Sequence, residues 1–231
     1  MEDLKPEREW ELEQEVERLK NLLVKLAEAD RHSVVFNRTK EGMNIIENAM
    51  RIAKEAHEGQ FRKWTAPGHP PEPYFNHPYR VATQVGLLGL NENAVAAAFL
   101  HDVIEDVALK QNKLEYYQTL ISNECNQFVL EIVMDLTSPS EYPGWEHSSR
   151  DAKNKANFEH MRHIEIIPKQ IKMCDRFDNL ADYQNAPKKY MVNKYLPESR
   201  TLLGICRYTN EAMGLELEKR IEEAEAYFNK V

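Results

Sequence analysis

The chain has 231 residues, with 30 Lys and Arg against 38 Asp and Glu, for a net charge of −8. That acidic balance argues against broad nucleic-acid binding, which runs on phosphate neutralisation, and no apolar run approaches the roughly 20 residues of a membrane span. With 42% hydrophobic and 29% charged residues, the composition is that of a globular protein able to bury a substantial core. Met1 to Arg18 is charged and lacks an apolar signal core, so no secretion signal is expected. Cys125, Cys174 and Cys206 are an odd, scattered set without a CxxC, which suits packed thiols in a reducing cytoplasm.

Only 8 glycines occur, and apolar residues recur at helical spacing almost throughout, so the chain reads as all-α. Leu12, Val16, Leu19, Leu23 and Leu26 form an a/d seam. It reads either as a short coiled coil for self-association or as an amphipathic helix folded onto its own domain. Residues 1–38 are therefore separated as an N-terminal helix and linker from a domain over 39–231. The next helix spans about Glu41 to Glu58, with Met43, Ile46, Met50, Ala53 and His57 on one stripe. Residues 64–73 hold four of the 11 prolines and read as a loop. From Asn76 the chain is helical again, with Pro78 in the first turn. Asn91 is placed to cap a helix over Glu92 to Asp106 that carries the run Ala94 to Leu100. Further helices are expected at about 111–136, 151–164, 168–184 and 198–228, separated by Pro139, Pro143, Gly144, Pro168, Pro187 and Pro197.

Three clusters carry chemistry. His101 and Asp102 follow a fully apolar run, so two ionisable groups on a buried helix need partners or a metal. Glu105 and Asp106 follow one turn later; three carboxylates and an imidazole so crowded repel one another unless a cation neutralises them. In the segment 171–180, Lys172, Asp175 and Asn179 share a face, while Ile171, Cys174, Phe177 and Leu180 hold the helix in the core. The third cluster is the segment 73–78, where His77 sits at a loop-to-helix junction. His57 reads as a core histidine and His69 as a loop histidine. Tyr74 reads equally as a nucleoside contact or a core residue, and Asp178 and Arg176 as surface or supporting contacts. The window 147–163, net +2 with three histidines, reads as a solvated face or as a lid over phosphates.

Four segments in order, Ala56-His-Glu-Gly-Gln-Phe-Arg-Lys63, Pro73-Tyr-Phe-Asn-His-Pro78, Phe99-Leu-His-Asp-Val-Ile-Glu-Asp106 and Lys172-Met-Cys-Asp-Arg-Phe-Asp-Asn-Leu180, resemble the HD superfamily of metal-dependent phosphohydrolases. More narrowly they are similar to the hydrolase domain of the RelA/SpoT homologue family and to stand-alone small alarmone hydrolases. The motif core covers about 43–184, with C-terminal helices over 185–231. The resemblance implies an HD-domain helical fold and an Mn²⁺ site ligated by His77, His101, Asp102 and Asp175, a donor set suited to a borderline divalent ion. It implies Glu105 and Asp106 as the activating acids, Arg62 and Lys63 as the substrate-facing cations, and Asn179 as a nucleoside contact. The implied reaction is hydrolysis of the 3′-pyrophosphate of guanosine tetra- or pentaphosphate, (p)ppGpp, to GDP or GTP in the cytoplasm. The implied partner is thus a small nucleotide, with neither nucleic acid nor membrane. The 64–73 loop is longer and richer in proline than the family's usual turn, and Val107 stands where a Thr is common. Alarmone synthesis is not expected, since the chain has no room for a synthetase domain. The alternative is an HD-type phosphohydrolase acting on another nucleotide, such as a dNTP or NADPH. A reading from another class is a silent scaffold on the same fold.

Overall fold

The alanine-rich run before His101 dictates the architecture. Ala94, Ala96, Ala97 and Ala98 are all buried, so one short helix is apolar on nearly every side and neighbouring helices can approach it closely. This computed structural model describes residues 45–230; the N-terminal seam and the division near residue 38 lie outside the described residues. In chain order, α1 is Ile45–Ala56, α2 Asn76–Leu87 and α3 Glu92–Leu100. A π-helical segment, Val103–Ala108, leads to α4 Leu114–Glu124 and α5 Gln127–Leu136. Then follow α6 Arg150–His163, α7 Ile166–Asn179, the short α8 Lys188–Tyr190, α9 Leu196–Cys206 and α10 Glu211–Lys230. Among the described residues there is no β-strand, only the isolated bridge between Phe61 and Pro73. The fold is all-α, as expected.

Helix α3 packs against α1, α2, α5 and α7, and α2 also crosses α7. The small faces of Ala49, Ala53 and Ala56 on α1 meet the alanines of α3. The α9–α10 pair covers the outer side of α7. All three cysteines are free and buried, and burial pushes the Cys125, Cys174 and Cys206 thiols up, the first to about 11 and the others to about 12.

Several helix ends follow the expected local chemistry. The Asn91 side chain accepts from the Ala94 N–H at 3.1 Å, and Pro78 sits in the first turn of α2. Ala66-Pro67-Gly68-His69 closes as a turn, with Gly68 at φ 81° and the His69 N–H donating to the Ala66 carbonyl at 3.1 Å.

Four expected helices are interrupted. The 92–106 helix stops at Leu100. Asp102 lies at φ −101°, ψ −6°, a sparsely populated conformation frequent in active sites, and the π-helical segment follows. There the Leu109 N–H bonds the Ile104 carbonyl and the Lys113 N–H the Ala108 carbonyl. The 111–136 helix breaks at Asn126, whose side chain starts α5 by accepting from the Val129 N–H at 2.9 Å. Helix 168–184 ends at Asn179, and 198–228 is broken by a 3-10 turn at Arg207–Thr209. Apolar periodicity carries through such breaks because the flanking helices keep facing one core.

Candidate metal centre and cleft

Three elements bring four candidate donor groups together. The loop-to-helix junction at α2 supplies His77, the end of α3 supplies His101 and Asp102, and the middle of α7 supplies Asp175. His77, His101 and Asp102 each offer a donor atom within 4.8 Å of the others. The two imidazole Nε2 atoms are 3.3 Å apart. Asp102 Oδ2 is 3.1 Å from His101 Nε2 and 3.6 Å from His77 Nε2. Asp175 Oδ1 is 3.1 Å from His77 Nε2 and 3.7 Å from His101 Nε2. Both rings are nearly inaccessible, and both carboxylates face the cleft.

The remaining ring nitrogens fix how these imidazoles point. His101 Nδ1 donates to the Ala98 carbonyl at 2.7 Å, and His77 Nδ1 donates to Asp178 Oδ2 at 2.7 Å. With Nδ1 donating, neutral rings present two bare Nε2 lone pairs to each other. That arrangement is repulsive unless a proton or a metal cation lies between them. Divalent-metal bonds of about 2.0–2.2 Å place neighbouring donors about 3–3.6 Å apart, and the observed spacings match. His77, His101 and Asp102 therefore fit a divalent cation, and Asp175 lies beside both imidazoles.

Charge balance points the same way. Lys172 is buried beside Asp175, 4.0 Å from Oδ2, and its pKa is raised because Glu105, Asp175 and Asp102 outweigh burial. One ammonium faces three carboxylates. Burial by itself lowers His101, but Asp102 and Asp175 outweigh it and raise its pKa to about 10. Burial likewise works to raise Asp102 and Asp175, yet the imidazoles hold both well below the usual carboxylate range.

The expected acids flank this point. Glu105 Oε1 accepts from the Ser138 N–H, and burial raises the Glu105 pKa against the opposing pull of Lys172. Asp106 pairs with Lys110 through Oδ1, and its Oδ2 accepts from the Tyr74 hydroxyl at 3.1 Å. The same hydroxyl donates to Asp102 Oδ2 at 2.6 Å. Burial, then the two aspartates, push the Tyr74 pKa upward and keep the phenol protonated.

These groups line a cleft of about 480 Å³ that also holds Arg62, Lys63, Trp64, Arg176 and Asn179. Pairing across the loop base positions Arg62 and Lys63: the Arg62 N–H donates to the Glu72 carbonyl at 2.8 Å, and the Tyr74 N–H to the Gln60 carbonyl at 2.9 Å. Arg62 Nη2 donates to Asn179 Oδ1 at 2.8 Å, and Asn179 Nδ2 donates to Asp175 Oδ1 at 2.5 Å. Lys63 lies 4.9 Å from the Trp64 ring centroid and 5.9 Å from that of Tyr190.

All nine expected site residues sit at this centre or its cleft. No residue of the 147–163 window lines the cleft; its helix α6 packs on the Pro139–Glu141 turn and on α9, which removes the lid reading. His57 is buried against Tyr74, with ring centroids 4.6 Å apart, and His69 is exposed on the loop. The sequence left Asp178 and Tyr74 open. Asp178 is buried, accepts from His77, and is held by Arg80 at 2.7 and 3.1 Å; Arg80 also pairs with Glu72 of the loop. The only local signal was spacing: Arg80 is i+3 from His77 and Asp178 is i+3 from Asp175.

An all-helical domain that brings two histidines and two aspartates together at the foot of a cleft defines a class, and a family model for the HD domain matches residues 49–199. The chain belongs to the HD domain family, and the match runs past the last sequence motif. It is similar to a guanosine-3′,5′-bis(diphosphate) 3′-pyrophosphohydrolase of Haemophilus influenzae, 35% identical over 179 residues, covering 72% of this chain and 24% of that protein. It is also similar to a GTP pyrophosphokinase of Myxococcus xanthus, 30% identical over 157 residues, covering 65% of this chain and 19% of that protein. The chain thus spans a quarter or less of these relatives' length. A solved metazoan orthologue of SpoT, described as hydrolysing ppGpp, shares the fold with a TM-score of 0.64 and 22% identity over 79% of this chain and 96% of that one.

Proposed function

We propose that this protein hydrolyses the 3′-pyrophosphate of guanosine tetra- or pentaphosphate, giving GDP or GTP and pyrophosphate, with Mn²⁺ held by His77, His101, Asp102 and Asp175. The observation that carries the reading is the convergence of the His77, His101 and Asp102 donor atoms, with Asp175 Oδ1 beside both imidazoles and both Nδ1 atoms already committed elsewhere. The likeness to the Haemophilus influenzae pyrophosphohydrolase supports the choice of substrate. When bound, the divalent ion supplies Lewis-acid polarisation of a phosphoryl oxygen and of the attacking water.

The chain's own groups do the rest. Glu105, whose buried carboxyl has a raised pKa and whose Oε1 is fixed by Ser138, takes the proton of the water. Asp106 orients that water while the Tyr74 hydroxyl and Lys110 hold its carboxylate. Arg62 and Lys63 offset the phosphate charge. Asn179, between Arg62 and Asp175, ties the substrate-facing segment to the metal ligands. Three free, buried thiols accord with a cytoplasmic setting.

A second reading keeps the centre and changes the nucleotide. It is favoured by Trp64, which belongs to the unusual 64–73 loop and lines the cleft. Incubation with Mn²⁺ and a nucleotide panel tests both. Pyrophosphate from ppGpp, lost in Asp102→Ala, supports the first reading; turnover of a dNTP or NADPH alone supports the second. No turnover together with no metal-induced thermal shift would leave a scaffold.

A further inference from the structure

Among the described residues, Arg176 is a cleft cation without an acidic or amide partner, and it is clamped in place by a ring and a hydroxyl. Its guanidinium carbon lies 4.2 Å from the centroid of the Tyr195 ring, and Nη1 donates to Ser199 Oγ at 3.1 Å. Ser199 is wholly buried and itself donates to the Tyr195 carbonyl at 2.6 Å, so one residue of the π-helical segment Met191–Tyr195 and one of α9 hold the guanidinium together. Arg176 Nε is buried and has no hydrogen-bond partner. No carboxylate of the described residues lies within ion-pair distance of Arg176, and the like charge of Lys172 works against it. An aromatic face holds a cation in position without cancelling its charge, as a carboxylate would. A partly desolvated guanidinium lacking a counter-ion is costly, and since Arg176 lines the cleft, the missing anion is one the cleft receives.

We propose that Arg176, clamped by Tyr195 and Ser199, binds a phosphate group of the nucleotide other than the one presented to the metal centre, making it a specificity-determining residue for a nucleoside phosphorylated at two positions. The inference rests on the nucleotide reading above. The clamp on Arg176 is built from the Met191–Tyr195 segment and α9, and neither of these supplies a donor to the metal centre. The end that stays on the product, the 5′-diphosphate, is therefore assigned to Arg176, and planar recognition by a guanidinium suits a terminal phosphate.

The test uses the full chain with Mn²⁺ and calorimetric binding of guanosine, GDP and inorganic pyrophosphate to the native protein, Arg176→Gln and Arg176→Lys. The native protein is expected to prefer GDP over guanosine. Arg176→Gln should reduce that preference roughly 10- to 100-fold, Arg176→Lys by less, and pyrophosphate binding should stay within about threefold. Arg176→Gln loses the Ser199 hydrogen bond and the Tyr195 ring contact, so thermal unfolding and the retained pyrophosphate binding serve to show that the variant is folded. Undiminished preference for GDP in Arg176→Gln overturns the assignment. So does a loss that falls on pyrophosphate instead, which would place Arg176 at the cleaved group. Because GDP binding does not require turnover, failure of the native protein to hydrolyse ppGpp would overturn the proposed reaction and leave this result readable on its own.

Discussion

Asp178 offers the sharpest perturbation of the candidate metal centre, because it contacts neither cleft nor donor point directly. Its Oδ2 accepts from His77 Nδ1 at 2.7 Å, and Arg80 holds it through two donors. Replacing it with alanine removes the acceptor that makes His77 present Nε2 to the centre, and leaves half-buried Arg80 only Glu72 as a partner. Supporting carboxylates of this kind govern metal affinity by about 10- to 100-fold, which is about 1.4–2.8 kcal/mol. Asp178→Asn should cost less, since its amide oxygen still accepts from Nδ1. Calorimetric titration with Mn²⁺ measures the effect directly, and thermal unfolding of the metal-free variants separates it from loss of fold. A metal affinity unchanged in Asp178→Ala, with only the metal-free Tm lowered, would refute the argument that this carboxylate sets the orientation of His77.

Three further outcomes are expected. Tyr74→Phe removes a hydroxyl shared between Asp102 and Asp106; turnover should fall about 10- to 100-fold from loss of a charge-assisted hydrogen bond, with KM nearly unchanged, as steady-state kinetics will show. Glu105→Gln should abolish turnover yet raise the Tm of metal-free protein at pH 7. The sign follows from burial: with the folded pKa above the unfolded one, stability is lost as pH rises between them, and an uncharged amide avoids that loss; a lowered Tm would contradict it. Mn²⁺ binding at pH 8 should release close to one proton, because His101 in metal-free protein has a pKa of about 10 and must lose its proton to become a ligand. Titrations in two buffers of different ionisation enthalpy count that proton, and zero release would show that His101 starts neutral.

How much was legible beforehand differs from residue to residue. Helical content, the Asn91 cap, the Pro-Gly turn and the core face of α7 follow from nearest-neighbour chemistry, so they could be read directly. His101 and Asp102 were conspicuous because two ionisable groups after a run of alanines have no local means of satisfaction. The π-helical segment after Asp102 was invisible, since a wider turn leaves the spacing of apolar residues nearly intact. Asp178 and Tyr74 were present in the sequence but undetermined, as their partners lie 101 and 28 positions away.

The sequence alone determined the class of fold and the kinds of donor available, because periodicity and composition act over a few residues at a time. Only the tertiary structure decided that an aspartate on α7 meets two histidines from α2 and α3, and that Arg176 faces an aromatic ring rather than an acid. Convergence is set by how the alanine-lined helix lets its neighbours close around it. That is a property of packed surfaces far apart in the chain, and no local pattern encodes it.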